Sequence, residues 1–367
     1  MQKFIFSMVS IVSIVSMVSI TSCEKDDRND SEPTVYQRAS DGMFVINEGN
    51  YYNGISGSLS FLDFATDSMQ NKIFQAVNGR ALGNTPNSGV VAQGKLYITG
   101  ERIEVVDADT AIGKSVAVIE TISQPRALAA SDDEKYVFVS SYTGKVSKID
   151  TSTDKVTKES EVVGSCLEGI CYRDGYVYVC NAFSPGSNYN YTYHTNIVKL
   201  RASDLSKVCD ITVACNPTAI LCHHDGVFVQ STGNYADVGS MIQKIDAGDN
   251  VTNLCPGMYF AAYDDKLYVI STTYDADWNS VTSYNTYDIT TGETLPLGEN
   301  IGEAVAYPYN IAVNPKNGDI YISSLCLSEY GYGDYSSPGY VVRFDSASRK
   351  LAQYTVGVNP KSFCFTR

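Results

Sequence analysis

Short apolar runs with a period of two recur along the whole chain, each with the same neighbours. They are Lys95-Leu96-Tyr97-Ile98, Tyr136-Val137-Phe138-Val139, Tyr176-Val177-Tyr178-Val179, Val227-Phe228-Val229, Lys266-Leu267-Tyr268-Val269 and Asp319-Ile320-Tyr321-Ile322. Runs of this length and period predict β-strands, and the dipeptides Asp174-Gly175, Asp225-Gly226 and Asn317-Gly318 ahead of three of them predict tight hairpin turns. An earlier strand in each unit opens near a proline: Thr85-Pro86, Gln124-Pro125, Asn216-Pro217, Cys255-Pro256, Tyr307-Pro308 and Asn359-Pro360, with Ser165-Cys166 in the equivalent place. A later strand ends in aspartate, as in Val105-Val106-Asp107, Lys148-Ile149-Asp150, Lys244-Ile245-Asp246, Thr286-Tyr287-Asp288 and Arg343-Phe344-Asp345, while Lys199-Leu200-Arg201 departs from the rule. A fourth, more polar strand follows, suited to an outer edge facing water.

Units of four strands repeating every ~40 to 50 residues are the signature of a propeller. Counting from Pro86, six units are complete. The remainder is one innermost-type strand at residues 361–366 and three strands at 43–47, 58–64 and 69–74, which together make one more unit. The expected fold is therefore all-β: a seven-bladed β-propeller over residues 41–367, closed where the C-terminal strand joins the three N-terminal ones. Such closure removes free sheet edges, and a β-helix or open sandwich would not explain why the two ends are complementary fragments of one repeat.

In a propeller, the loop from the second to the third strand and the loop leading into the next blade open on the same face. Five second-to-third loops are enlarged, at residues 48–56, 184–195, 231–238, 271–280 and 326–338. They contain Tyr51, Tyr52, Tyr189, Tyr191, Tyr193, Tyr235, Tyr274, Tyr330, Tyr332 and Tyr335, and the only tryptophan, Trp278. Loops are ordinarily polar and small, whereas tyrosine offers a large contact area with few rotors to freeze and a hydroxyl besides. These segments lack Lys and Arg; their charges are Glu48, Asp237, Asp275, Asp277, Glu329 and Asp334, with His194 as one titratable group. The face is expected to repel polyanions and to accept a bulky neutral or partly cationic ligand. The candidate apolar contacts are Tyr51, Tyr52, Tyr191, Tyr193, Tyr235, Tyr274, Trp278, Tyr332 and Tyr335. Asn50, Asn190, His194 and Asp277 are candidate polar contacts, and Arg80, Arg126, Glu168 and Tyr309 are expected at the channel mouth. The competing reading is that the tyrosines pack loop against loop.

Charge and remaining chemistry narrow the classes further. A net charge of −14 argues against nucleic acid. No phosphate loop, nucleophile elbow or zinc signature is present, and the innermost strands carry mostly Ala, Ile, Leu, Val and Cys, so neither a catalytic residue nor a cofactor is assigned. His223 and His224 fall on a first-to-second strand turn of the opposite face beside Asp225; with no further ligand at a recognised spacing, the turn is read as solvent-exposed and no metal is assigned. Cys171 and Cys222 are read as free thiols filling innermost strands, and a disulfide or soft-metal site among Cys166, Cys215 and Cys255 is the less favoured option.

At the N-terminus, Met1 and Lys3 precede an apolar stretch ending in Ile20-Thr21-Ser22-Cys23. This predicts an export signal over residues 1–22, with Cys23 as the acylated new N-terminus rather than an ordinary secretory signal and a chance cysteine. The charged run that follows reads as a disordered tether over residues 23–40.

Through Tyr178-Val179-Cys180-Asn181 and the aspartate-ended third strands, the chain resembles YVTN/YncE-type propellers. Through Phe44-Val45-Ile46-Asn47-Glu48-Gly49-Asn50 and Ile311-Ala312-Val313-Asn314-Pro315-Lys316-Asn317-Gly318-Asp319-Ile320-Tyr321 it resembles Bacteroidetes surface lipoproteins of the BtuG type. The acidic tether resembles the surface-export signal of such lipoproteins. The resemblance implies an outer-membrane, lipid-anchored protein facing the cell exterior, a corrinoid (cobalamin) ligand, and a TonB-dependent transporter as partner. A glycan-binding lipoprotein or an adhesion scaffold is the alternative, and a propeller lyase or lactonase a further one.

Overall fold

Each repeat read from the sequence folds into one antiparallel sheet in a computed structural model that describes residues 41–274, 280–298 and 300–366. The export signal, Cys23 and the tether lie outside the described residues, as do Asp277 and Trp278. The first strands are β1 (Gly42–Asn47), β2 (Ser58–Asp63) and β3 (Ser68–Gln70). Blade 1 follows with β4 (Ser88–Ala92), β5 (Lys95–Thr99), β6 (Ile103–Asp107) and β7 (Ser115–Ile119), and blade 2 with β8 (Pro125–Ala130), β9 (Tyr136–Ser141), β10 (Val146–Asp150) and β11 (Lys155–Glu159). Blade 3 holds β12 (Cys166–Arg173), β13 (Tyr176–Pro185), β14 (Tyr191–Arg201) and β15 (Lys207–Thr212); blade 4 holds β16 (Pro217–His223), β17 (Gly226–Ser231), β18 (Met241–Ile245) and β19 (Val251–Cys255). Blade 5 comprises β20 (Tyr259–Tyr263), β21 (Lys266–Tyr274), β22 (Ser280–Asp288) and β23 (Thr294–Pro296). Blade 6 comprises β24 (Tyr307–Val313), β25 (Ile320–Leu327), β26 (Gly333–Asp334), β27 (Pro338–Phe344) and β28 (Lys350–Val358). The last strand, β29 (Pro360–Phe365), pairs with β1 to give the sheet order β29-β1-β2-β3, which is blade 7. This is the seven-bladed propeller with the closure the repeat count predicts.

The two middle strands of a blade are covered on both faces because each sheet is sandwiched between its neighbours. Alternation therefore gives way to continuous apolar runs there, with Leu96, Tyr97 and Ile98 of β5 and Phe44, Val45 and Ile46 of β1 all buried. The blade 7–blade 1 seam shows the packing: Phe44, Ile46, Leu59 and Phe61 meet Val91, Leu96, Ile98 and Val106, and Cys364 of β29 completes the cluster. Closure is registered by Phe44 opposite Cys364 and Val45 opposite Phe363, and Thr366 Oγ1 accepts the Gly42 N–H at 2.8 Å.

The aspartates ending the third strands close the turn to the fourth. Asp150 Oδ1 accepts the Ser152 N–H at 2.8 Å, Asp246 Oδ1 those of Gly248 and Asn250 at 2.8 and 2.9 Å, and Asp345 Oδ1 those of Ala347 and Arg349 at 3.0 and 2.9 Å. Side chains of one blade also reach that turn in the next. Lys199 Nζ holds both oxygens of Asp249 at 2.7 and 2.9 Å, Lys95 Nζ and the Tyr97 hydroxyl hold Asp154, and Arg343 and Tyr354 hold Asp67.

Three expectations are corrected. The outermost strand of blade 7, β3, stops at Gln70, and the apolar pair Ile73-Phe74 belongs instead to a short helix, α1 (Ile73–Asn78), which buries both side chains. The insertions in blades 3 and 5 are largely strand: Phe183, Ser184 and Pro185 pair with Tyr193, Thr192 and Tyr191, and Thr272 and Thr273 pair with Thr282 and Val281. Finally, Cys171 and Cys222, read as free thiols, form a disulfide between the innermost strands of blades 3 and 4, with Cα atoms 5.8 Å apart. Both sit on strands that run side by side at the ring's centre, which separate repeats do not reveal. Cys166, Cys215 and Cys255 are free thiols.

Candidate ligand-binding face

The segment leaving the second strand of a blade runs beside the segment entering its first strand. Glu48 and Gly49 donate to the carbonyls of Asn359 and Val358 at 2.9 and 3.0 Å, Tyr142 to that of Gln124 at 3.1 Å, and Thr232 and Gly233 to those of Asn216 and Cys215 at 2.8 and 3.0 Å. These bonds bring long connections and blade entries to one face. They also hold Gln124, Asn216 and Asn359 at φ of 51°, 61° and 56°, and Thr85 takes the same conformation at 48°. Each precedes the proline opening an innermost strand, a position that disfavours helical backbone of either hand. Glycine supplies a second tight bend. Gly233 (φ 86°) has room for no side chain, since a Cβ would stand 2.0 Å from the Val238 carbonyl oxygen, and the bend projects the following Tyr235 outward.

On this scaffold the aromatic rings form a continuous row across blades 2, 3 and 4. Ring centroids are 5.8 Å apart for Tyr142–Phe183, 5.3 Å for Phe183–Tyr191, 6.4 Å for Tyr191–Tyr193 and 5.8 Å for Tyr193–Tyr235. A second group joins blades 6 and 7. Tyr335 lies 6.4 Å from Tyr307 and 6.3 Å from Tyr309, its carbonyl accepts the Asn50 side-chain amide at 3.0 Å, and Asn53 Nδ2 reaches Ser336 Oγ at 2.5 Å. Tyr51 and Tyr52 follow on a single helical turn, with rings 5.8 Å apart. Neighbour packing leaves part of these groups open: Tyr52 is 95% and Tyr235 75% exposed, while Tyr142, Phe183, Tyr193, Tyr307 and Tyr309 are half-buried.

Charge is held inside the mouth. Arg126 Nε donates to Glu168 Oε2 at 2.6 Å, the Tyr142 hydroxyl donates to the other oxygen of Glu168, and the guanidinium lies 5.2 Å from the Tyr142 ring centre. Across the ring, the Tyr309 hydroxyl donates to Glu48 Oε2 at 2.7 Å, and Lys361 Nζ sits 5.1 Å over the Tyr309 ring. Burial, and then the adjoining carboxylate, pushes the Tyr142 and Tyr309 phenols far up. Tyr259 is pushed up to about 12 by burial, with Tyr307, Glu48 and Tyr235 adding to the effect. These hydroxyls are therefore protonated donors at neutral pH. Arg126, Glu168, Lys361, Asn87, Ser88 and Ser362 line a central cavity of about 280 Å³. A larger groove, about 1230 Å³, opens between blades 4 and 5 beneath Val238 and Thr272.

Of the residues singled out in the sequence, the structure brings together Arg126, Glu168, Tyr191, Tyr193 and Tyr235 on one side and Asn50, Tyr309 and Tyr335 on the other. His194 bonds Ser184 Oγ through Nε2 at 2.8 Å, Asn190 caps the tip of the blade 3 hairpin, and Tyr274 ends β21. Tyr332 lies on the turn closed by Ser328 N–H to its carbonyl at 2.7 Å. Arg80 is not at the mouth. It is bound to Glu104 at 2.6 Å and Ser115 at 3.1 Å on the outer strands of blade 1, over the Phe74 ring of α1. Tyr142, Phe183, Tyr259, Tyr307, Glu48 and Lys361 join the face without having been singled out. Only Phe183 and Glu48 adjoin or fall within an insertion; the others stand at ordinary strand ends.

Fold and face together define a seven-bladed propeller with an aromatic mouth. The chain belongs to the family described as "Domain of unknown function (DUF5074)", whose model matches residues 41–360. No curated protein matches it. Among solved structures it is similar to a quinoprotein alcohol dehydrogenase-like protein from Bacteroides thetaiotaomicron, at 13% identity and TM-score 0.64, covering 89% of this chain and 79% of that one. It is also similar to hydrazine synthase of Kuenenia stuttgartiensis, at 17% identity and TM-score 0.59, covering 76% and 89%. These likenesses establish the propeller fold.

Proposed function

We propose that this protein captures a bulky, largely uncharged ligand on its aromatic face without transforming it, a corrinoid being the first choice. The carrying observation is the unbroken row from Tyr142 to Tyr235, with Tyr191 and Tyr235 exposed and the other rings half-buried, beside hydroxyl donors and side-chain amides. A corrinoid presents a broad macrocycle fringed with amides, so its faces suit phenol rings and its rim suits Asn50, Asn190 and the tyrosine hydroxyls. Arg126 is engaged by Glu168, so the mouth favours such a ligand over a polyanion. On this reading residues 1–40 export the protein and anchor it by Cys23 at the outside of the outer membrane, where it passes ligand to a TonB-dependent transporter.

Titrating the protein into cyanocobalamin should shift the visible spectrum of the corrinoid and give a saturable calorimetric heat; silence at micromolar concentrations retires the corrinoid. The near-complete exposure of Tyr52 favours a second reading, a glycan platform, because single protruding rings stack on sugar faces. Binding on a glycan array with no response to cyanocobalamin would select it.

A further inference from the structure

We propose that His223, His224 and Asp225, on the face opposite the tyrosines, form with Asp265 of the next blade a site for a divalent transition-metal ion of the zinc class. Consecutive residues of a strand point to opposite faces, so adjacent histidines ordinarily diverge. Here β16 ends at His223 and the chain turns through His224 and Asp225, bringing the two imidazole centroids to 3.9 Å. One ligand atom from each of His223, His224 and Asp225 lies within 4.8 Å of the others. Asp225 Oδ2 stands 3.3 Å from His223 Nδ1 and 3.1 Å from His224 Nε2, and Asp265 Oδ1 stands 3.7 Å from the same His224 nitrogen. Ligands about 2.0–2.1 Å from a tetrahedral zinc are about 3.3 Å from one another, so the donors need only small movements to close on an ion.

One observation points to an occupant and a second to a preformed site. His223 Nδ1 and Asp225 Oδ2 are shielded from solvent and have, in place of well-formed hydrogen bonds, only each other and His224 Nε2 at 3.1–3.3 Å, an arrangement that one cation between them would satisfy. The turn is also braced from outside: Arg173 of blade 3 donates to the backbone carbonyls of His223 and His224 at 2.7 and 3.0 Å, and Cys222, next to His223, is disulfide-bonded to Cys171. A mixed imidazole and carboxylate set of this kind suits Zn²⁺, Co²⁺ or Ni²⁺ rather than Ca²⁺. His224 is well exposed, leaving the ion an entry path. Because Asp265 comes from the turn of blade 5, a bound ion would staple blades 4 and 5.

The test is a titration of the intact chain with Zn²⁺ followed by calorimetry and thermal melting, repeated with Co²⁺ for its visible spectrum. One equivalent should bind, raise the melting temperature, and give a cobalt d–d band without a thiolate charge-transfer band. His224→Ala, at an exposed position, should fold normally and weaken binding at least ~10-fold, and Asp265→Asn should diminish the thermal shift. No binding at millimolar zinc, an undiminished affinity in His224→Ala, or a thiolate band from the free cysteines would each overturn the site.

Discussion

Tyr235 and Gly233 divide the work of a single loop: the glycine makes the bend and the tyrosine presents a ring. Gly233→Ala adds a Cβ into the Val238 carbonyl at a φ of 86°, so the loop must move. We expect a modest loss of stability, about 1–3 kcal/mol by the usual cost of such strain, and a clear loss of ligand affinity, read by melting and titration of one sample. Unchanged affinity would mean the loop's position is irrelevant to binding. What could be read from the sequence at this scale was the anomaly, aromatic side chains where loops are normally small and polar. Outside the insertions, Arg126, Glu168 and Tyr309 could be read from blade entries, but Tyr142, Tyr259, Tyr307 and Lys361 could not. Tyr142 and Tyr259 reach the mouth only because the ring turns their strand ends inward. Arg80 was misplaced because Ile73-Phe74 fits both strand and helix periods, and the helix carries the chain outward over blade 1.

Each blade depends on its turns and on ties to the next. The carboxyl of Asp246 lies below its ordinary range because the Asn250 side chain and backbone donate to it, and that of Asp345 because the Arg349 N–H does. That of Asp150 is lowered chiefly by Ser152. A depressed folded-state pKa contributes stability that is complete above the unfolded value, about 4, and is lost as pH falls through it toward the folded value. Melting temperature should therefore hold between about pH 7 and pH 5 and fall below about pH 4. A melting temperature steady down to pH 3 would contradict the turn account. Asp249→Ala leaves Lys199, only 10% exposed, without its carboxylate. A cost of about 2–4 kcal/mol is expected in denaturant titration, against little effect for Lys135→Ala in the exposed pair Lys135–Asp133. The strand-ending aspartates were legible as a motif, but their Asp249-type partners belong to a different repeat and emerge only with blade-to-blade packing.

The ring as a whole was legible because its defining evidence is periodic: strand, turn, strand, aspartate, and two chain ends that add up to one unit. Which residues from different repeats meet was not, since that depends on the twist between blades, and the Cys171–Cys222 bond is the clearest case. Closure itself is testable. Removing residues 360–367 strips β29 from β1 and uncovers Met43 to Ile46, so the shortened chain should melt at lower temperature and self-associate through the bared edge. The claim on which the functional account turns is that the aromatic row binds. Its most direct test compares cyanocobalamin affinity in the native chain and in a Tyr191→Ser, Tyr193→Ser, Tyr235→Ser variant whose melting temperature is unchanged. The account predicts a loss of at least ~30-fold, the effect of one aromatic hot spot of about 2 kcal/mol. Equal affinity in the two proteins would contradict it.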